Sequence, residues 1–212
     1  MLSGPVQEPE SGKADSLVIF CHGYGSNGDD LISLGTKWRG LLQGAVFVAP
    51  NAPEKSPHPG GYQWFPITDF SKEERIKGAY TAAPGLDEFI DANLDKYGIK
   101  PNRLALVGFS QGTMMALHVG LRRKAGLAGI LGYSGALAAP ANLISEMKCK
   151  PPILLVHGAQ DNVIPFPALF EAIGALEAAG LSVEKHLSYN ASHSIAPDGQ
   201  EKGGAFLTRI LG

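Results

Sequence analysis

Cysteine is scarce in this 212-residue chain, which holds only Cys21 and Cys149. Two such distant cysteines make no metal or redox spacing and no disulfide framework, so both are expected as reduced thiols in a cytosolic (cytoplasmic) protein. A charge excess is lacking too: 18 Lys and Arg against 20 Asp and Glu give a net charge of -2, with no long block of either sign. A nucleic-acid or anionic-membrane partner therefore has no electrostatic support, and a highly charged substrate is not expected. No apolar run approaches membrane-spanning length, which argues against stable membrane insertion. Residues 1–15 are polar, with Pro5 and Pro9, and lack the basic start and apolar core of a secretory signal. We set 1–15 apart as a polar N-terminal segment and assign 16–212 to a single domain, since a chain of this size that is 44% hydrophobic fills one core better than two.

What is present centres on Leu104 to Leu117. Leu104 to Val107 is a short apolar run of the kind buried on both faces of a parallel sheet. Met114, Leu117, His118 and Leu121 then recur at helical spacing, with a helix end expected where Gly126 follows Arg122, Arg123 and Lys124. Between the two lies Gly108-Phe109-Ser110-Gln111-Gly112. Gly-x-Ser-x-Gly at a strand-to-helix turn lifts the serine hydroxyl above the sheet, and the glycines leave room for a turn that sharp.

Similar apolar runs occur at Leu17–Cys21, Ala45–Ala49, Leu127–Leu131 and Ile153–Val156, and the more polar Ser182–Leu187 is expected as the last strand. Helical patterns separate them: one begins near Asn27 and is broken by Gly35, one starts at the capping box Ser71-Lys72-Glu73-Glu74, and others cover 167–180 and 204–211. Pro84 is expected to kink or split the second of these. This alternation predicts an α/β fold, a mostly parallel sheet with helices on both faces, whose ligands bind beyond the carboxyl ends of the strands.

A serine needs a base, and the base an orienting carboxylate. Asp161 follows the Ile153 strand and His193 follows the Ser182 strand, so Ser110, Asp161 and His193 stand in the chain order of an α/β-hydrolase triad. His22 and His157 precede glycines in tight turns and read as turn-shaping; His118 and His186 read as structural, and His58 as solvated. Asp198 and Glu171 are the weaker acid candidates. An oxyanion would take one amide from Gln111 and a second from His22-Gly23-Tyr24-Gly25, where Tyr24 is the expected donor.

Phe20-Cys21-His22-Gly23-Tyr24-Gly25, Ala49-Pro50-Asn51-Ala52-Pro53, Gln63-Trp64-Phe65, the serine turn, His157-Gly158-Ala159-Gln160-Asp161 and Ser192-His193 together resemble the small carboxylesterase/lysophospholipase family that includes acyl-protein thioesterases. The resemblance implies an α/β-hydrolase fold with no large lid domain, and activity on esters or thioesters with short to medium acyl chains. It assigns catalysis to Ser110, Asp161 and His193 and the oxyanion amides to Tyr24 and Gln111. Tyr24 stands where a leucine is usual, and the segment before Ser16 is short and polar for the usual early hairpin, which leaves the strand number open. Trp64, Phe65, Ile164 and Phe166 would then wall an acyl pocket; their alternative role is to cover the end of the sheet. Substrates would be small-molecule or lipid esters, with no metal and no cofactor, and the oligomeric state, a homodimer included, stays open.

Two rivals remain. Gly23-x-Gly25-x-x-Gly28 after a strand matches a dinucleotide fingerprint and would make the chain a nicotinamide-dependent oxidoreductase. That motif also wants an acid at the end of the second strand, where Ala49-Pro50-Asn51 offers none before Glu54. A non-catalytic binding module on the same fold is the other.

Overall fold

The computed structural model describes residues 2–69 and 71–212. Among them a seven-stranded sheet forms from β1 (Val6–Gln7), β2 (Ser16–Cys21), β3 (Ala45–Val48), β6 (Leu104–Phe109), β7 (Gly129–Tyr133), β8 (Ile153–Gly158) and β9 (Val183–Ser188), in the order β1-β3-β2-β6-β7-β8-β9. All neighbours are parallel except β1, which pairs antiparallel with β3 through Val6 opposite Val48. The segment expected to stand outside the domain thus supplies an edge strand. A separate two-stranded ribbon joins β4 (Glu54–Lys55) to β5 (Tyr62–Gln63).

Alternation along each strand divides the core between two faces. Leu17, Ile19 and Cys21 of β2 face one layer, and Val18 and Phe20 face the other. The first layer is covered by α2 (Lys72–Tyr97), α3 (Gln111–Gly120) and α5 (Pro167–Ala178). The second is covered by α1 (Gly28–Trp38) and α6 (Pro197–Leu211). A short α4 (Leu143–Glu146) lies between β7 and β8. The expected mostly parallel sheet with helices on both faces is present.

Four helices depart from expectation, and α6 does so by starting at Pro197 where the sequence placed its start at 204. α1 continues through Gly35, where a Cβ would stand 3.0 Å from the Phe47 ring, so this glycine serves close packing on β3. α2 runs unbroken through Pro84, and the split considered from the sequence does not occur. Pro84 lies on the exposed face, where water can take the carbonyl its ring displaces, while Leu86, Phe89 and Ile90 bury the opposite face. Its ends follow the sequence: Ser71 Oγ accepts from Glu74 N at 3.1 Å, and Gly98 closes the helix at φ +64°. α3 stops at Gly120, short of the expected end, and Arg122 beyond it pairs with Glu146.

Candidate active site

Ser110 sits between β6 and α3 with φ 54° and ψ -117°, a backbone conformation rarely open to a non-glycine residue. The neighbouring elements enforce it. Ser110 N and Thr113 Oγ1 both donate to Tyr133 O, at 2.9 and 2.8 Å, and so tie the turn to β7. A Cβ on Gly112 would fall 1.8 Å from Cys21 O, and one on Gly108 2.5 Å from the Thr113 backbone. Only glycine fits either side of this serine.

Asp161 follows β8, with its carboxylate buried. Oδ1 accepts from Val163 N and Ile164 N, each at 2.9 Å, and Oδ2 lies 2.7 Å from His193 Nδ1. His193 Nε2 is 3.0 Å from Ser110 Oγ. The acceptor-only carboxylate implies that Nδ1 carries the proton, which leaves the Nε2 lone pair to accept from the serine hydroxyl. Residues distant in sequence thus form one hydrogen-bonded run beyond the carboxyl ends of β6, β8 and β9. The other acid candidates lie elsewhere: Asp198 pairs with His186 at 2.7 Å, which holds its carboxyl below the usual range, and Glu171 sits on α5.

The amides of Tyr24 and Gln111 have no acceptor among the described residues. Both stay available for an incoming oxygen. The turn carrying Tyr24 is braced from two sides: Gly25 N donates to Tyr62 O and Tyr62 N donates to Ser26 O, at 2.9 and 2.7 Å. His22 Nδ1 meets Gly23 O at 2.7 Å and Nε2 accepts from Ala52 N at 2.9 Å, so His22 holds the turn as a neutral ring, its pKa pushed down by burial. The turn-shaping role read from its neighbouring glycine agrees with this. His157, also read as turn-shaping, lies 2.8 Å from Ile164 O through Nε2 and so steadies the Asp161 loop.

Trp64 and Phe65, expected as pocket walls, are each 1% exposed and pack in the core, so neither ring offers surface to an acyl chain. They cover the end of the sheet instead. The cause is Gln111, whose side chain is buried: Oε1 accepts from Trp64 N at 2.9 Å and Nε2 donates to Phe65 O at 2.8 Å. A second anchor runs from Trp64 Nε1 to His22 O at 2.9 Å. Sequence reasoning assigned Gln111 only its amide; a polar residue opening an otherwise apolar buried helix was the available signal. Ile164 is half-buried and Phe166 exposed at the rim beside Asp161.

The dinucleotide reading meets a filled helix start. Gly28 N donates to Asn51 Oδ1 at 2.8 Å, Asn27 caps Asp30 N, and Asp29 and Asp30 occupy the first turn of α1. Carboxylates there repel a pyrophosphate.

Residues 4–210 match the phospholipase/carboxylesterase family of α/β-hydrolases. The chain belongs to that family. As a member it is a carboxylic ester hydrolase, and the dehydrogenase alternative falls away. It is similar to acyl-protein thioesterase 1 of Emericella nidulans, with 31% identity over all of this chain and 97% of the relative. Esterase YpfH of Escherichia coli is 29% identical over 90% of this chain and 80% of its own length. Among solved structures, esterase PE8 superposes with a TM-score of 0.96 at 44% identity, covering 99% of both chains. SOBER1 of Arabidopsis thaliana, at 22% identity and a TM-score of 0.79 over 94% of this chain and all of that one, shares the fold. Among the described residues no large lid interrupts the α/β-hydrolase fold, and no helix is long and apolar enough to cross a membrane.

Proposed function

We propose that this family member is a serine esterase acting through Ser110, His193 and Asp161 on carboxyl esters, and on thioesters or lysophospholipids, with short to medium acyl chains. The observation that carries the reading is the run Asp161 Oδ2–His193–Ser110 Oγ, at 2.7 and 3.0 Å. Ser110 Oγ attacks the acyl carbonyl as its proton passes to His193 Nε2, and Asp161 stabilises the imidazolium through Nδ1–H. The oxyanion takes the free amides of Tyr24 and Gln111, each such donor contributing about 3 kcal/mol to the transition state. Collapse expels the alcohol or thiol, which takes the proton from Nε2. Water deprotonated by His193 then attacks the acyl-serine, and the acid departs with Ser110 reprotonated.

The exposed Phe166 and Val163 and the half-buried Ile164, beside Asp161, are suited to contact an acyl chain. Free thiols at Cys21 and Cys149 fit a reducing, cytoplasmic setting. The test is a fluorophosphonate with peptide mapping: an adduct on Ser110 and loss of ester turnover in Ser110→Ala are expected. Labelling elsewhere, or retained turnover in the alanine variant, discards the mechanism. Matched oxygen and thiol esters of rising acyl length then set the substrate class by specificity constant.

A further inference from the structure

An open groove of about 380 Å³ starts at His193 and descends between α1 and the 193–195 loop towards Gln200 of α6. Its lining is mixed: Phe109, whose ring lies 5.0 Å from that of His193, and Ile195 supply carbon surface above the nearly buried Leu31 and Leu34, and polar side chains supply the rest. Ser33 and Ser194, both exposed, edge it from opposite banks. His193 lines the groove and Ser110 does not. That asymmetry has a chemical meaning, because the acyl half of an ester becomes bonded to Ser110 while the departing half must meet the proton on His193 Nε2.

We infer that this groove is the leaving-group subsite and that it takes a neutral, carbon-rich alcohol, which narrows the proposed substrates towards esters of such alcohols and away from lysophospholipids, whose leaving group carries a charged phosphate. The inference rests on the serine-esterase reading above. The volume falls within the range of small-molecule sites. Neutrality follows from the banks: Asp30 Oδ2 already accepts from Ser26 Oγ at 2.8 Å, and Lys37 Nζ already donates to Gln200 Oε1 at 3.1 Å. Both partners are neutral groups, so the charges remain, but the one acid and the one base on the groove cancel in net sign. Phe109 and Ile195 therefore offer carbon surface next to His193, at about 25 cal/mol per Å² covered, and the uncharged hydroxyls of Ser26, Ser33 and Ser194 offer hydrogen bonds in place of ion pairing.

The alcohol half of the substrate is then selected separately from the acyl half, and the experiment separates the two. Acetate esters of methyl, benzyl and 2-naphthylmethyl alcohols form one series, and methyl esters from acetate to octanoate form the other. Wild type should favour the larger alcohols. Ser33→Trp, which fills the groove from an exposed position on α1, should lower the naphthylmethyl-to-methyl ratio of kcat/KM about tenfold, or about 1.4 kcal/mol. The octanoate-to-acetate ratio should hold. Ser33→Leu gives a smaller change in the same direction and keeps the test open should the tryptophan not be accommodated, with thermal unfolding reporting the fold. An alcohol ratio that stays flat in both variants, or acyl and alcohol ratios that fall together, overturns the subsite. Fluorophosphonate labelling of wild type tells the failures apart: a labelled Ser110 with a flat alcohol response removes the subsite alone, whereas no label and no ester turnover removes both readings.

Discussion

Replacing Gln111 by methionine isolates the clamp between the serine turn and the aromatic loop. The substitution keeps length and volume but removes both partners of the loop backbone, Oε1 for Trp64 N and Nε2 for Phe65 O. Trp64 and Phe65 are fully buried, so water has no ready path to replace either bond. Each buried polar group left without a partner costs about 1–3 kcal/mol, which puts the expected loss at about 3 kcal/mol once some relaxation is allowed. Against a typical stability of about 5–15 kcal/mol, that is a large change in one side chain. Guanidinium unfolding followed by tryptophan fluorescence measures it, with an unchanged slope showing that the two end states keep their compactness. The amide of residue 111 survives, so ester turnover should fall by less than the roughly 10²- to 10³-fold typical of losing an oxyanion donor. A stability change below about 0.5 kcal/mol would refute the clamp, since it would mean the loop holds its place through Trp64 Nε1 and packing alone.

Two further outcomes follow from the same geometry. In Asp161→Asn, Oδ1 can still accept from Val163 N and Ile164 N, but the side-chain amide donates towards His193 Nδ1, so the ring protonates at Nε2 and can no longer take the serine proton; kcat should fall about 10⁴-fold with folding intact, and a rate within about tenfold of wild type would sink the assigned tautomer. His118 is buried, its Nδ1 has no partner among the described residues, and burial pushes its pKa down from 6.5 to about 4. Between those values the unfolded chain binds the proton and the folded one does not, so this contribution to stability is complete above pH 6.5 and is lost as pH falls towards 4, by about 3 kcal/mol. His118→Leu should flatten that acid limb in pH-dependent unfolding, and superimposable limbs would show that His118 is not its source.

The strands were legible because parallel strands buried on both faces read as solid apolar runs; from Leu17, Leu104 and Ile153 onward, β2, β6 and β8 carry no polar side chain until the site begins. β1 was not legible, since two residues in a polar segment carry no period and pair only because β3 presents an open edge. Likewise, Gly35 and Pro84 break helices by local rules, and burial of the flanking apolar positions overrode both. The site divided in the same way. Ser110, Asp161 and His193 could be ordered from strand ends, but the direction of Trp64 and Phe65 depended on a side-chain clamp from Gln111, 46–47 positions away.

That division also says where the site is rigid. The strained Ser110 is fixed by β6, β7 and α3 near the middle of the sheet, where both faces are covered. Asp161 is held by two amides from its own loop, and His157 ties the same loop at Ile164 O. His193 has less: it follows the edge strand β9, and its ring is positioned by Asp161 Oδ2 and the Phe109 face. Loops at sheet edges open at lower free energy than central elements. In the proposed mechanism Ser110 and Asp161 are therefore the fixed partners, and His193, which would turn from the serine to the leaving group within one cycle, is the member with room to move.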